Sequence, residues 1–244
     1  MPPKVSILTP VYNAETTLAR AVTSVREQDF ADWEMILSDD ASTDGSLALA
    51  RDLAAEDPRI KVIHAQKNGG AARARNAALA QATGRYMAFL DADDAWLPMK
   101  LSRHLAFMET RDVAFSYTGF YRLKNGAERQ INVPASLDYA TLLKGNVIGC
   151  LTAIYDSAVF GKVEMPDIRR RQDYGLWLKL LKQVDRAYGL QEPLARYYQQ
   201  AGSLSSARIK ASLGTWQLYR KVEGLSRAQS ASYLAQHLWQ RIRS

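Results

Sequence analysis

The sequence predicts an α/β fold with a mostly parallel central sheet, helices on both faces and a helical extension at the C-terminus. Three observations predict it. Over the first ninety residues, short apolar runs alternate four times with stretches of helical periodicity, the pattern of successive strand–helix units. Three of those runs end in polar loops, Tyr12-Asn13, Asp39-Asp40 and Asp91-Ala92-Asp93-Asp94, at the edge where an open α/β sheet collects its ligand. A chain of 244 residues with 47% hydrophobic content is also long enough to bury one full core.

Residues 5–8 form a compact β run ending at Thr9-Pro10, where proline is expected to stop ladder pairing and open a loop. Thr16 or Thr17 is placed to cap a helix whose apolar positions Leu18, Ala21, Val22 and Val25 recur to about residue 28. Residues 33–37 make the second strand, which runs into the turn-rich segment 38–45 and a helix to about residue 56. A third strand over 60–64 leads through Asn68-Gly69-Gly70 into an alanine-rich helix over 71–82, closed by Gly84. Residues 86–90 are a continuous apolar run, as expected of a strand buried on both faces. Pro98 opens a helix to about residue 109, and 113–121 reads as a strand. Asn125-Gly126 is a hairpin signal that sets Arg122 and Gln130 on paired strands. Residues 145–155, small and apolar, are expected to form a buried strand lining the crevice. Leu176, Trp177, Leu180 and Leu181 give a helix an apolar face with Asp173 at its N-terminus. A strand over 194–198, a flexible loop over 201–206 and terminal helices complete the chain, with Ser226 capping the last.

The net charge of +7 resides mostly in the tail: from residue 208 onward seven basic residues face Glu223 alone, a local +6. A basic tail suits an anionic partner or a solvated helix face, and the stripe Ala231, Leu234, Leu238 and Ile242 beside Trp239 either rests on an anionic membrane or packs back on the domain. No window approaches the roughly 20 apolar residues of a membrane span and no signal peptide opens the chain, so a cytoplasmic protein is expected. The single Cys150 has no cysteine partner and is simplest as a small core residue. Neither a G-x-G-x-x-G after the first strand nor a P-loop lysine motif is present, which argues against dinucleotide and ATP sites of those types. No nucleic-acid partner is expected.

Asp91, Asp93 and Asp94 arrive together after the fourth strand. They read either as a solvated acidic turn or as a site for a hard divalent cation bridging carboxylates and a diphosphate. Asp173 reads either as a helix-capping aspartate or as a functional carboxylate, and Arg169-Arg170-Arg171 before it either as a solvated basic turn or as an acceptor contact.

V-S-I-L-T-P-V-Y-N, S-D-D-A-S-T-D-G-S, N-G-G-A-A-R-A-R-N-A-A, F-L-D-A-D-D-A-W and Q-D-Y-G-L-W-L stand in one order, and together they resemble the family 2 glycosyltransferases, inverting sugar-nucleotide enzymes with the GT-A (nucleotide-diphospho-sugar transferase) fold. The match is dense over residues 4–97 and returns at 171–181. The resemblance implies a catalytic domain over 1–206, with 1–97 binding the nucleotide and 98–206 the acceptor, followed by a basic helical tail over 207–244. It implies that Pro10, Tyr12 and Glu15 line the base and ribose pocket, that Asp40 accepts from the uracil N–H with Asp39 as its support, and that Gly70, Arg75 and Ala92 lie near the nucleotide. Asp91 and Asp93, with Asp94, would hold the sugar diphosphate through Mn²⁺ or Mg²⁺, and Asp173 would be the catalytic base. The implied partners are a nucleotide-sugar donor, UDP-linked by the Asp40 match, and a glycan or lipid-linked acceptor at the inner face of the cell membrane. Two departures stand out. Gln172 replaces an acid common before the base, and Tyr198-Gln199-Gln200 lacks a histidine common before the Ser-x-Ser loop, a place that Ser203, Ser205 or Arg208 would fill. Arg171 is a further acceptor contact. A sugar nucleotidyltransferase and a non-catalytic module binding sugar nucleotide or anionic lipid are the competing readings. The first lacks its glycine-rich basic loop.

Overall fold

The computed structural model of the chain describes residues 1–199 and 204–243. In its first half β1 (Val5–Val11), β2 (Trp33–Asp39), β3 (Ile60–His64) and β4 (Tyr86–Phe89) run parallel in the order β3-β2-β1-β4. They are joined by α1 (Leu18–Arg26), α2 (Ser46–Glu56) and α3 (Ala71–Gln81). Successive strand side chains point to opposite faces. Ile7, Met35 and Ala88 therefore pack with Leu18, Val22 and Val25 of α1, while Leu8, Ile36 and Phe89 pack with Ala78 and Leu79 of α3.

Pro10 does not end β1. The strand continues to Val11, with Pro10 opposite Ser38 of β2. Leu8 turns its carbonyl toward β4, where it accepts from Leu90, so Pro10, two residues on, faces the same side. The β1–β4 ladder stops at Leu8–Phe89, and the missing proline N–H therefore falls where no strand needs it. Neither Thr16 nor Thr17 caps α1 through its side chain; Thr17 Oγ1 donates to the Ala14 carbonyl instead.

The second half widens the sheet with mixed polarity. β5 (Ala95–Trp96), α4 (Lys100–Thr110), β6 (Phe115–Lys124) and β7 (Ala127–Ile131) follow, then β8 (Ser136–Leu137), α5 (Tyr139–Lys144), β9 (Ile154–Asp156) and α6 (Ser157–Phe160). The sheet order past β4 is β9-β6-β10-β5, where β10 is Ala187–Tyr198, and β9 lies antiparallel to both β4 and β6. The hairpin forms as expected, with Tyr121 opposite Gln130 and Arg122 opposite Arg129 around Asn125 and Gly126, both at positive φ. Residues 145–155 are not one strand. They hold a loop and the single 3₁₀ turn Cys150–Thr152, and only the start of β9 is extended. Thr152 donates both its amide and its hydroxyl to the Gly149 carbonyl, which coils the segment before it can pair.

α7 (Gln172–Leu181) is the most buried helix of this half, and its Trp177 packs against Phe89 and Phe115 at 5.4 Å between ring centroids. The C-terminal extension comprises α8 (Leu204–Gln217), a π-helical turn over Leu218–Val222 and α9 (Arg227–Arg243). Its middle joins the core. Leu218 and Tyr219 are fully buried, Tyr219 Oη donates to the Leu143 carbonyl at 2.5 Å, and the buried Glu223 carboxylate takes Lys182 Nζ at 2.7 Å and the Tyr139 hydroxyl. Tyr174 stacks on His237 of α9 at 6.3 Å, and Ser226 closes a reciprocal cap with Gln229. Among the described residues no helix is long and apolar enough to cross a membrane.

Candidate active site

At the C-terminal edge of the parallel strands a cleft of about 700 Å³ opens between the loops after β1, β2 and β4, the start of α3 and the segment before α7. Pro10, Tyr12, Asp40, Gly70, Arg75, Asp91, Ala92 and Asp93 all line it. Tyr12 is half exposed at its mouth.

Asp40, 4% exposed, shapes one wall. Its Oδ1 accepts from the Gly69 amide at 2.8 Å and its Oδ2 from the Gly70 amide at 2.7 Å, while its carbonyl accepts from Asn68 Nδ2 at 3.2 Å. Gly70 sits at φ +87°, a conformation L side chains rarely adopt, which is how the loop turns both amides onto one carboxylate. Asp39 and Glu15 do not line the cleft. Asp39 is fully buried and meets His64 Nδ1 at 2.9 Å and the Ser42 amide at 3.2 Å. Glu15 accepts from the Gly45 amide and so ties the loop after β1 to the start of α2.

Arg75, on α3 and 5% exposed, pairs with Asp91, and its Nε has no hydrogen-bond partner. Burial opposes its charge, but Asp91 and Asp173 raise its pKa above the usual arginine value. Asp93 and Asp94 are both held above the ordinary carboxylate range, first by burial and then by the charge of Asp91; for Asp94 the pKa is pushed up to about 9. Asp94 turns away from the cleft and accepts from the Tyr198 amide at 3.0 Å, while the Arg20 guanidinium stacks on the Tyr198 ring at 3.8 Å and donates to the Asp93 carbonyl. The acidic loop is thus stitched to the end of β10. Among the described residues no three His, Cys, Asp or Glu side chains form a ready-made metal cage. Two carboxylates on the cleft wall, Asp91 and Asp93, suit a Mg²⁺- or Mn²⁺-type ion that takes its remaining oxygens from substrate phosphate and water.

Asp173 lies in the first turn of α7. Burial raises its pKa above the ordinary carboxylate value, while the Tyr174 amide and the charges of Arg75 and Arg171 pull it down and that of Asp91 pushes it up. The same charges reach Cys150, whose buried thiol is pushed well up, so Asp173, Asp91, Arg75 and Cys150 share one neighbourhood. Ser203 lies outside the described residues, as does the side chain of Ser205, whose backbone begins α8.

The sequence reading missed what holds the site's far wall. Asn76 Nδ2 donates to the Met165 carbonyl and its Oδ1 accepts from the Met165 amide, both at 2.9 Å, and Arg73 grips Asp167 at 2.7 Å. These bonds pin the segment before α7 to α3, so that Asp167, Ile168 and Arg169 form the cleft rim. Asn76 ends the very N-G-G…A-R-N run that was read for Gly70 and Arg75, but nothing local in the chain points to a partner 89 residues away.

Comparison with known proteins accords with this geometry. The sequence model for glycosyl transferase family 2 matches residues 6–154. TuaG of Bacillus subtilis (strain 168), a glycosyltransferase assigned to teichuronic acid biosynthesis, is 45% identical over 91% of this chain and 90% of its own. The Escherichia coli UDP-Glc:alpha-D-GlcNAc-diphosphoundecaprenol beta-1,3-glucosyltransferase WfgD is 34% identical over 87% of this chain and 83% of its own. In structure, S. aureus TarS 1–349 in complex with UDP-GlcNAc matches with a TM-score of 0.74 at 21% identity, covering 96% of this chain and 71% of that 1–349 chain. The mannosyltransferase PcManGT from Pyrobaculum calidifontis, in complex with GDP-Man and Mn²⁺, matches with a TM-score of 0.73 at 19% identity, covering 97% and 69%. With the family sequence model over most of the chain, a relative at 45% identity and the same sheet in both solved structures, the chain belongs to glycosyl transferase family 2 and is a glycosyltransferase of the GT-A fold.

Proposed function

We propose that the enzyme moves one sugar, with inversion, from a UDP-sugar to a hydroxyl of a glycan or lipid-linked acceptor in surface polysaccharide synthesis. The observation that carries this reading is one cleft that combines a nucleotide-shaped wall (Tyr12, Asp40, Gly70) with a pair of carboxylates (Asp91, Asp93), while Asp173, outside the cleft lining at a helix start, lies within electrostatic reach of Asp91. The base and ribose lie against Pro10 and Tyr12. Each Asp40 oxygen is engaged by one loop amide and keeps a second lone pair for the uracil N–H, while Asp39 and Glu15 brace the loops from behind. WfgD is a UDP-Glc-dependent glucosyltransferase and TarS binds UDP-GlcNAc, in line with this choice, whereas PcManGT binds GDP-Man. Residues 1–97 serve the donor and 98–206 the acceptor.

Asp91 and Asp93 would hold Mn²⁺ or Mg²⁺, with Asp94 keeping the loop in place; the Mn²⁺ in PcManGT supports a divalent ion. When bound, the ion supplies positive charge to the departing diphosphate, so no carboxylic acid is needed on that side. Asp173 takes the proton of the acceptor hydroxyl as that oxygen bonds to the anomeric carbon, and the bond from that carbon to the diphosphate oxygen breaks on the opposite face. The raised pKa of Asp173 favours this, because a carboxylate that holds its proton more tightly than usual is a stronger base. The charge of Arg75 opposes that rise. The lipid-linked acceptor of WfgD supports work at the inner face of the membrane, where the basic tail over 207–244 would meet anionic lipid.

Transfer assays with a panel of UDP-sugars, read by the anomeric configuration of the product, test the reaction. Asp173→Asn is expected to keep UDP affinity and lose transfer by roughly 10²–10⁴-fold, the usual share of a general base. An Asp173→Asn enzyme of full activity would remove Asp173 from the mechanism.

A further inference from the structure

We propose that Arg169, Arg170 and Arg171 bind a phosphate or diphosphate carried by the acceptor, which makes the acceptor a glycosyl phosphate rather than a neutral glycan. The proposal rests on Asp173 as the base and names the acceptor class that reaches it.

Three consecutive guanidiniums end two residues before Asp173. Among the described residues none of them forms an ion pair with a carboxylate. The acid of their own segment, Asp167, is already taken by Arg73 through contacts of 3.0 and 2.7 Å. Like charges so crowded repel one another, and an anion relieves that repulsion. Arginine suits phosphate in particular, since its planar fork meets two phosphate oxygens at once.

The cluster is also held in place. Asn76 clamps Met165 by two hydrogen bonds, and Lys179 Nζ donates to the Glu164 carbonyl at 2.9 Å. Arg171 stands at φ +66° as the segment turns into α7. On the other side α8 presents Gly214, where an added Cβ would stand 2.9 Å from Arg170 Cβ and 3.6 Å from Arg171 Cγ. The stems of two arginines are thus confined between α7 and α8, and Arg169 reaches the cleft rim.

Arg169 lines the rim of the donor cleft while Arg171 stands two residues before Asp173, so the cluster runs from that rim toward the base. The cations acting on Asp93 are Arg20 and Arg75, whereas Arg171 acts on Asp173, Tyr174 and Tyr219. The triplet therefore borders the base, where the attacking hydroxyl must lie. A phosphate gripped there would set the first sugar of the acceptor against Asp173 and would discriminate against neutral glycans of the same sugar.

Calorimetry on the enzyme saturated with UDP and Mn²⁺, so that the donor side is filled, tests this with undecyl diphosphate as probe and undecyl maltoside and phosphatidylglycerol vesicles as controls. The variant is Arg170→Gln, an exposed side chain off the cleft rim; Arg169, which lines that rim, and Arg171, which turns the chain into α7, are kept. The expected result is binding of undecyl diphosphate to the wild type, weakened at least about tenfold in the variant, with UDP affinity unchanged and no binding of the maltoside. Equal undecyl diphosphate affinity in the two proteins would overturn the proposal. A loss of UDP affinity would reassign the arginines to the donor, and vesicle binding that needs the arginines without diphosphate binding would reassign them to the bilayer. Failure of the wild type to bind UDP would sink the proposed function instead, and the undecyl diphosphate titration without UDP would still decide the role of the arginines.

Discussion

Glu34 offers a test of the fold that leaves the chemistry alone. Its buried carboxylate lies at the N-terminal end of the parallel sheet, on the edge away from the cleft. It accepts from Ser6 Oγ at 2.7 Å, from the Thr83 amide at 2.6 Å and hydroxyl at 2.8 Å, and from Lys61 Nζ at 2.6 Å. Ser6 belongs to β1, Lys61 to β3 and Thr83 precedes β4, so one side chain on β2 ties together all four parallel strands of the first half. Burial alone would raise its pKa, but those four donors outweigh burial and lower it from 4.5 to about 2. The sign follows from linkage: a carboxyl group with a depressed folded-state pKa contributes its full stability above the unfolded value, and that contribution disappears as the pH falls from about 4.5 through about 2. The shift corresponds to about 3 kcal/mol at neutral pH. Urea unfolding of wild type and Glu34→Gln between pH 2 and 7 measures it. The variant is expected to be less stable at pH 7 by about 2–3 kcal/mol, with the gap closing toward pH 2 and UDP affinity unchanged. A gap that stayed constant across the range would refute the assignment of this stability to the ionised carboxylate.

Two further substitutions probe the wall that carries the base. Gly175→Ala places a Cβ 2.5 Å from Pro166 Cγ and 3.1 Å from Leu218 Cδ1, and overpacking of this kind costs about 1–3 kcal/mol against a helix-propensity gain of about 1 kcal/mol; thermal unfolding reads the net loss, and kcat should fall more than UDP affinity. Asn76→Ala strands the buried amide and carbonyl of Met165 at a local cost of about 2–4 kcal/mol, so hydrogen exchange should quicken over residues 164–168 and the acceptor KM should rise while UDP affinity holds.

The first half was legible because its signals are local. The apolar runs at 33–37 and 86–90 each end in polar residues, as strands buried on both faces do, while 60–64 is an edge strand in which only Ile60 is buried. Pro10 misled because the rule against proline in a ladder depends on which side of the strand is paired, and that is settled by where β4 stops. The second half was less legible for the same reason. β9 is three residues long, and its antiparallel place between β4 and β6 is set by long-range pairing that no period within 145–155 records. The acids Asp40, Asp91 and Asp93 could be named from strand ends, since topology alone gathers them at one edge. Asn76, Arg73 and Asp167 could not, because their meaning lies in contacts across about ninety residues of chain.

The most direct test of the donor site is calorimetric titration of UDP into the wild type and Asp93→Asn proteins, each with Mn²⁺ and with a chelator. The expected result is binding by the wild type that requires Mn²⁺, preference for UDP over GDP, and loss of the Mn²⁺-dependent part in Asp93→Asn. UDP binding that is equally tight with the chelator present and unchanged in Asp93→Asn would contradict it.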